Sequence, residues 1–152
     1  NGDDTVGPKI AAEFLVKQNV STEVINHVVK IIGNVSFSSN IDKTAAFHSK
    51  ELEVIQDADR LDALGAIGIA RTFNYGGFKN RALYNPDIKP NLNLTKEEYK
   101  ASTAPTINHF YEKLLLLKDK MNTKTGRKIA EERHNYMVDF LKQFYAEWHG
   151  EK

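Results

Sequence analysis

The 152-residue chain contains no cysteine. That excludes a disulfide framework, a cysteine-based zinc site and a thiol nucleophile, and it fits a reducing, cytoplasmic setting. It also lacks an excess of either charge: 21 Lys and Arg face 20 Asp and Glu, for a net charge of +1. No long-range field therefore favours a nucleic-acid polymer or an anionic membrane surface, and the basic residues are spread rather than clustered. The longest uncharged apolar run, ALGAIGIA, is far too short to span a bilayer. The opening NGDDTVGPK has neither the basic start nor the apolar core of a signal peptide, and no initiating Met precedes it. The expectation is a processed, cut or incompletely represented chain.

What is present reads as helix after helix. The charged fraction of 27% and hydrophobic fraction of 41% are ordinary for a globular protein, and the length suits one domain with a real core. PKIAAEFLVKQ places Ile10, Phe14 and Leu15 at one-face spacing, with Pro8 suited to a first turn. In STEVINHVVKIIGN, Ser21 or Thr22 can cap a helix faced by Val24, Val28, Ile31 and Ile32, and Gly33 and Asn34 stop it. VSFSSNIDKTAAFHSK reads as a loop. A long apolar helix then runs from about Glu51 to Phe73. NYGGFKNRALYNPDIKPNLN, with two Gly and two Pro, reads as a long loop of the kind that is usually functional or mobile.

Thr95 and Glu98 form a capping-box pattern for a short helix. APTINHFYEKLLLLKDKM follows, with Phe110, Leu114 and Leu117 on one stripe. Thr123 or Thr125 begins a last helix in which Ile129, Met137, Phe140, Leu141, Phe144 and Trp148 recur every three or four residues. No segment alternates with period two. The reading is all-α, a bundle of about five main helices with one long irregular loop after the apolar helix.

Three acids interrupt that apolar helix: Asp57, Asp59 and Asp62 in VIQDADRLDALGAIGIARTF. Asp59 and Asp62 share a helical face, whereas Asp57 points about 160° from Asp59, so the three cannot meet at one point. Two interior glycines, Gly65 and Gly68, each cost up to about 1 kcal/mol relative to Ala, and tight packing or a nearby ligand would compensate. One reading has the carboxylates paired with Arg60 or other cations and favouring a helix dipole. The other makes one of them a ligand for a hard divalent cation, which removes the cost of burying its charge. Pattern alone does not separate them.

The string IQDADRLDALGAIGIARTFNYGG resembles the signature of the HD-domain metal-dependent phosphohydrolases, closest to a small single-domain bacterial subgroup. VVKIIGNVSF resembles the preceding helix and turn of that subgroup, and NHFYEKLLLLKDKMNTKTGRKIAEERHNYMVDFLKQF its C-terminal helices, so the likeness covers nearly the whole chain. The resemblance implies an all-α HD-type fold around a divalent metal (Mn, Mg, Fe, Co, Ni and Zn are not distinguished) held by a His, a His-Asp pair and a later Asp. That later Asp falls on Asp59. Asp57 and Asp62 become supporting acids or alternative ligands.

Phosphate-binding candidates are Arg60, Arg71, Lys79 and Arg81, the last two in a loop able to act as a lid. Tyr75 and Phe78 are candidates to stack on a base. The implied reaction is metal-assisted hydrolysis of phosphate esters or anhydrides, with nucleotides as the substrate class and no membrane partner.

The likeness breaks at the histidines. His27, His48, His109, His134 and His149 are each followed by something other than Asp, so the His-Asp pair is missing. His109 and His134 fall in C-terminal helices, where the family's metal histidines are not found. One carboxylate is too few, since catalytic sites typically need three or more protein ligands. Two expectations compete: residues 1–152 form a single HD-type domain whose N-terminal helices are not represented, or a natural short form has lost the chemistry and survives as a catalytically silent helical domain that binds a nucleotide or protein partner. Such a short form would bare an apolar face on the order of several hundred Å², inviting a homo-oligomer.

Overall fold

The computed structural model describes residues 5–35, 47–95, 98 and 101–151. Among these there are six α-helices and no strand, so the class is all-α as the sequence reading expects, with one helix more than its five main ones. The helices are α1 (Val6–Lys17), α2 (Thr22–Val35), α3 (Lys50–Asp62), α4 (Gly65–Phe78), α5 (Asn108–Glu112) and α6 (Lys124–Trp148). The chain divides into two compact units, residues 1–56 and 57–152, with the boundary inside α3. No helix among the described residues is long and apolar enough to cross a membrane.

In the first unit α1 packs on α2. Pro8 sits in the first turn of α1 as expected, but α1 buries no residue, and Ile10 and Phe14 stay about 60% exposed. Ser21 supplies the cap of α2, its Oγ accepting from the Val24 amide at 3.5 Å. The buried positions of α2 are Ile25 and Ile31; Val24 and Ile32, assigned to the inner face from spacing, are exposed. The segment read as a loop lies in residues 36–46, outside the described residues, except for its ends.

The helix expected over Glu51–Phe73 is two helices. Leu64 is extended (φ −111°, ψ 159°) and Gly65 has φ +73°, a left-handed backbone that side chains with a Cβ adopt at a cost. A Cβ on Gly68 would lie 2.2 Å from the Ala63 carbonyl oxygen, so the turn closes only around glycine. α4 also continues past Phe73 to Phe78, which places Tyr75, Gly76, Gly77 and Phe78 on the helix and not in the expected loop.

The remaining loop is fastened at both ends. The Arg81 amide bonds Gly76 O at 2.9 Å, and the amides of Thr106 and Ile107 bond Ala82 O and Leu83 O at 2.8 and 3.0 Å. Its asparagines make local turns, Asn85 Oδ1 accepting from the Asp87 amide and Asn91 Oδ1 from the Asn93 amide. Thr95 and Glu98 form the reciprocal capping box, at 2.8 and 3.2 Å; much of the helix it would open lies outside the described residues.

The helix expected in APTINHFYEKLLLLKDKM is also interrupted. α5 ends at Lys113 (φ −143°, ψ −59°), and two 3₁₀ turns follow, Leu114–Leu116 and Lys118–Lys120. The stripe of Phe110, Leu114 and Leu117 is buried all the same. α6 matches its expected span, with Met137 and Leu141 buried and α4 packed against it. Rings of Phe73, Phe110 and Phe140 lie within 5.9–6.0 Å of one another, and Tyr84 meets Phe144, Tyr145 and Trp148 edge-on.

Candidate functional site

The three acids of α3 take separate roles. Asp57 is buried, and both its oxygens serve the start of α6. Oδ1 accepts from the Asn122 amide at 2.8 Å, and Oδ2 from the Thr123 amide and hydroxyl at 2.8 and 2.7 Å. Thr123 Oγ1 in turn accepts from the Gly126 amide at 2.9 Å, capping α6. Arg60, itself largely buried, faces Asp57 Oδ1 at 3.7 Å and donates to Lys120 O. Asp62 is exposed and pairs with Arg71. Asp59 is exposed and near enough to Lys113 for its carboxylate to favour the ammonium.

A cleft of about 740 Å³ opens in the second unit beside α4 and α5. Its charged and aromatic lining comprises Arg71, Tyr75, Phe78, Arg81, His109, Lys113 and one acid, Glu112, which accepts from the Asn91 amide at 3.1 Å, with polar groups from Thr72, Asn74, Ser102 and Thr106. Arg71, Tyr75 and Phe78 are at i, i+4 and i+7, so one face of α4 supplies all three. The Thr106 side chain seats against Gly76, where a Cβ would come within 2.2 Å of Oγ1, so the wall is drawn close to the helix. Arg81 stacks over Tyr75, 5.7 Å from the ring centroid, and its guanidinium donates to Ser102 O.

Three cations, Arg71, Arg81 and Lys113, outnumber the single acid Glu112 in the cleft. Burial lowers the Lys113 pKa below the usual lysine range; Asp59 opposes that effect and Arg71 adds to it. Burial likewise pushes His109 down to about 4, with Lys113 and Arg81 contributing, so His109 is neutral at physiological pH.

Four residues singled out from sequence therefore come together: Arg71, Arg81, Tyr75 and Phe78. Lys79 sits at the C-cap of α4 over the rings of Tyr75 and Phe78, at 5.7 and 5.4 Å, and does not line the cleft. Arg60 does not line it either. The expected lid is pinned at its start by the bonds of Arg81. Sequence reasoning missed Lys113 and gave His109 no role; the signal available was their spacing at i and i+4, which set a cation one turn from a histidine.

The described residues do not by themselves make up the ligand set that the resemblance implies. Among the described residues no three His, Asp or Glu side chains converge as a ligand set. Of Asp59's neighbours on α3, Asp57 is committed to α6 and Asp62 to Arg71.

Comparison with known proteins gives the following. No family model matches the chain. The uncharacterized protein YpgQ of Bacillus subtilis is 40% identical over 142 residues, which are 92% of this chain and 62% of YpgQ. This chain thus spans less than two thirds of that relative's length. A crystal structure of YpgQ in complex with ADP superposes with a TM-score of 0.67 at 34% identity, over 92% of this chain and 63% of the other. A Listeria innocua protein, Lin1889, is 36% identical with a TM-score of 0.74, over 97% of this chain and 68% of its own. A Bacillus thuringiensis protein described as an HD-superfamily hydrolase is 45% identical with a TM-score of 0.70, over 95% and 63%.

Proposed function

The chain belongs to the HD-like family, and on that premise we propose that it forms the nucleotide-binding cleft of a phosphohydrolase acting on nucleotides or related phosphate esters and anhydrides. The observation that carries the proposal is the convergence of Arg71, Arg81 and Lys113 in one cleft with aromatic rings at its wall. Guanidinium and ammonium groups match phosphate oxygens with charge-assisted hydrogen bonds, and Tyr75 and Phe78 offer an apolar face to a base. The ADP complex of YpgQ supports the same ligand class here.

Hydrolysis would add one water across a P–O bond, giving a monophosphate with pyrophosphate or orthophosphate. Asp59 is this chain's candidate metal ligand. Because one carboxylate is too few to hold a divalent cation, the ligands completing its shell would come from outside the described residues. What the residues in hand do is bind and orient: Arg71 is steadied by Asp62, Arg81 by Ser102 O and the Tyr75 ring. The lone Asp59 also favours a second reading, a silent nucleotide-binding domain.

Calorimetric titration of the chain with ADP tests the binding. One site is expected, and Arg81→Ala should weaken it about tenfold or more, as loss of a hydrogen bond to a charged group does. Absence of binding, or equal binding by the variant, sinks the proposal. In a longer protein carrying further ligands, Asp59→Ala should abolish metal-dependent hydrolysis with helix content retained. Survival of that activity would exclude Asp59 as a ligand, and a protein that binds ADP but hydrolyses nothing with any of the six metals would be the silent domain.

A further inference from the structure

The charged groups of the cleft lie in a sequence. Arg71, Lys113, His109 and Arg81 line one cleft; Arg71 stands one turn before Tyr75 on α4, Arg81 lies over the Tyr75 ring, and Lys113 and Arg81 both act on His109. Asp59 is felt at the Lys113 end, and the rings of Tyr75 and Phe78 gather at the Arg81 end, where Arg81 stacks on Tyr75. Along α4 the positions from Arg71 to Phe78 cover about 10 Å at 1.5 Å per residue. That is the scale of an extended nucleoside diphosphate from base to outer phosphate.

Resting on the nucleotide-binding reading above, we propose that the cleft has a polarity and reads the length of the phosphate chain: Arg71 and Lys113 hold the outer phosphate, and Arg81 with Tyr75 and Phe78 holds the nucleoside end. Arg71 and Lys113 are like charges brought together beside a partly buried wall. An anion bound between them relieves their repulsion, whereas a single phosphate attached to a nucleoside seated on Tyr75 reaches Arg81 but stops short of that pair. Neutral His109, between the two ends, offers hydrogen bonds without adding charge. Ligands with two or more phosphates are therefore preferred over monophosphates, and Lys113 is a specificity-determining residue.

Titrations of the full chain with AMP, ADP and inorganic pyrophosphate, in metal-free buffer, test this. The native chain should prefer ADP to AMP about tenfold or more, in line with one added charge-assisted contact set. Lys113→Gln should erase most of that preference by weakening ADP while leaving AMP within about twofold; Lys113→Arg, which keeps the charge, should retain it. Tyr75→Ala should weaken AMP and ADP by the same factor and pyrophosphate by less, since pyrophosphate loses only the ring's support of Arg81. Equal loss of AMP and ADP in Lys113→Gln, with helix content intact, overturns the assignment but leaves nucleotide binding standing. So does a loss of pyrophosphate affinity in Tyr75→Ala as large as that of ADP. No ADP binding by the native chain overturns both.

Discussion

At the scale of single residues, the three aspartates of α3 show how little local pattern says about a carboxylate's work. Asp57 and Asp59 are two positions apart in one acidic stretch, yet one is buried against backbone amides of α6 and the other faces water. Asp57→Ala would remove the acceptor of the Asn122 and Thr123 amides and one of the two carboxylates that favour the Arg60 charge. The expected cost is about 3–5 kcal/mol, the range for removing one partner of a buried charged pair. Asp59→Ala should stay within about 0.5 kcal/mol of the native chain, as exposed substitutions do. Urea denaturation of the two variants checks the contrast; equal midpoints would refute it. The helical angle showed that Asp57 could not share a site with Asp59. Its actual partners were illegible because they lie some 65 residues downstream, and nothing in DADRLD signals a helix start that distant.

At the scale of elements, apolar periodicity found every helix among the described residues but not their breaks. A stripe at three-residue spacing, Phe110 excepted, is satisfied as well by 3₁₀ as by α geometry, so Leu114 and Leu117 are buried as expected although the helix ends at Lys113. The run through ALGAIGIA stays apolar across the turn at Leu64, and only its glycines marked the break; they read equally well as small residues for close packing. The two glycines should answer differently to a methyl group. Gly65→Ala places an L residue at φ +73°, costing about 1–2 kcal/mol, and its Cβ would meet only the flexible Arg133 side chain, at 3.1 Å. In Gly68→Ala the Cβ meets the Ala63 carbonyl at 2.2 Å, which the backbone itself must relieve. Gly68→Ala should therefore be the more destabilising in thermal melts, and it should also weaken ADP binding, because α4 carries Arg71 and Tyr75. The opposite order would mean that the turn, not the close approach, governs this junction.

At the scale of the whole molecule, the cationic cleft makes stability depend on pH in a definite direction. His109 protonates near pH 4 in the folded chain against 6.5 for an unperturbed histidine, because its surroundings are buried and shared with Lys113 and Arg81. Burial and Lys118 also lower His134, with Glu131 and Asp119 opposing. In the interval between about 4 and 6.5 the unfolded chain binds more protons than the folded one. The contribution of the neutral imidazole is thus fully present above about pH 6.5 and is lost as the pH falls toward 4. The melting temperature should decline across that interval, and His109→Gln, which keeps a neutral polar group in the cleft, should flatten the decline without removing the share owed to His134. A flat native profile would contradict the burial of His109. A decline as steep in His109→Gln as in the native chain would assign it to other groups and leave the neutral histidine of the cleft without a measurable cost of protonation.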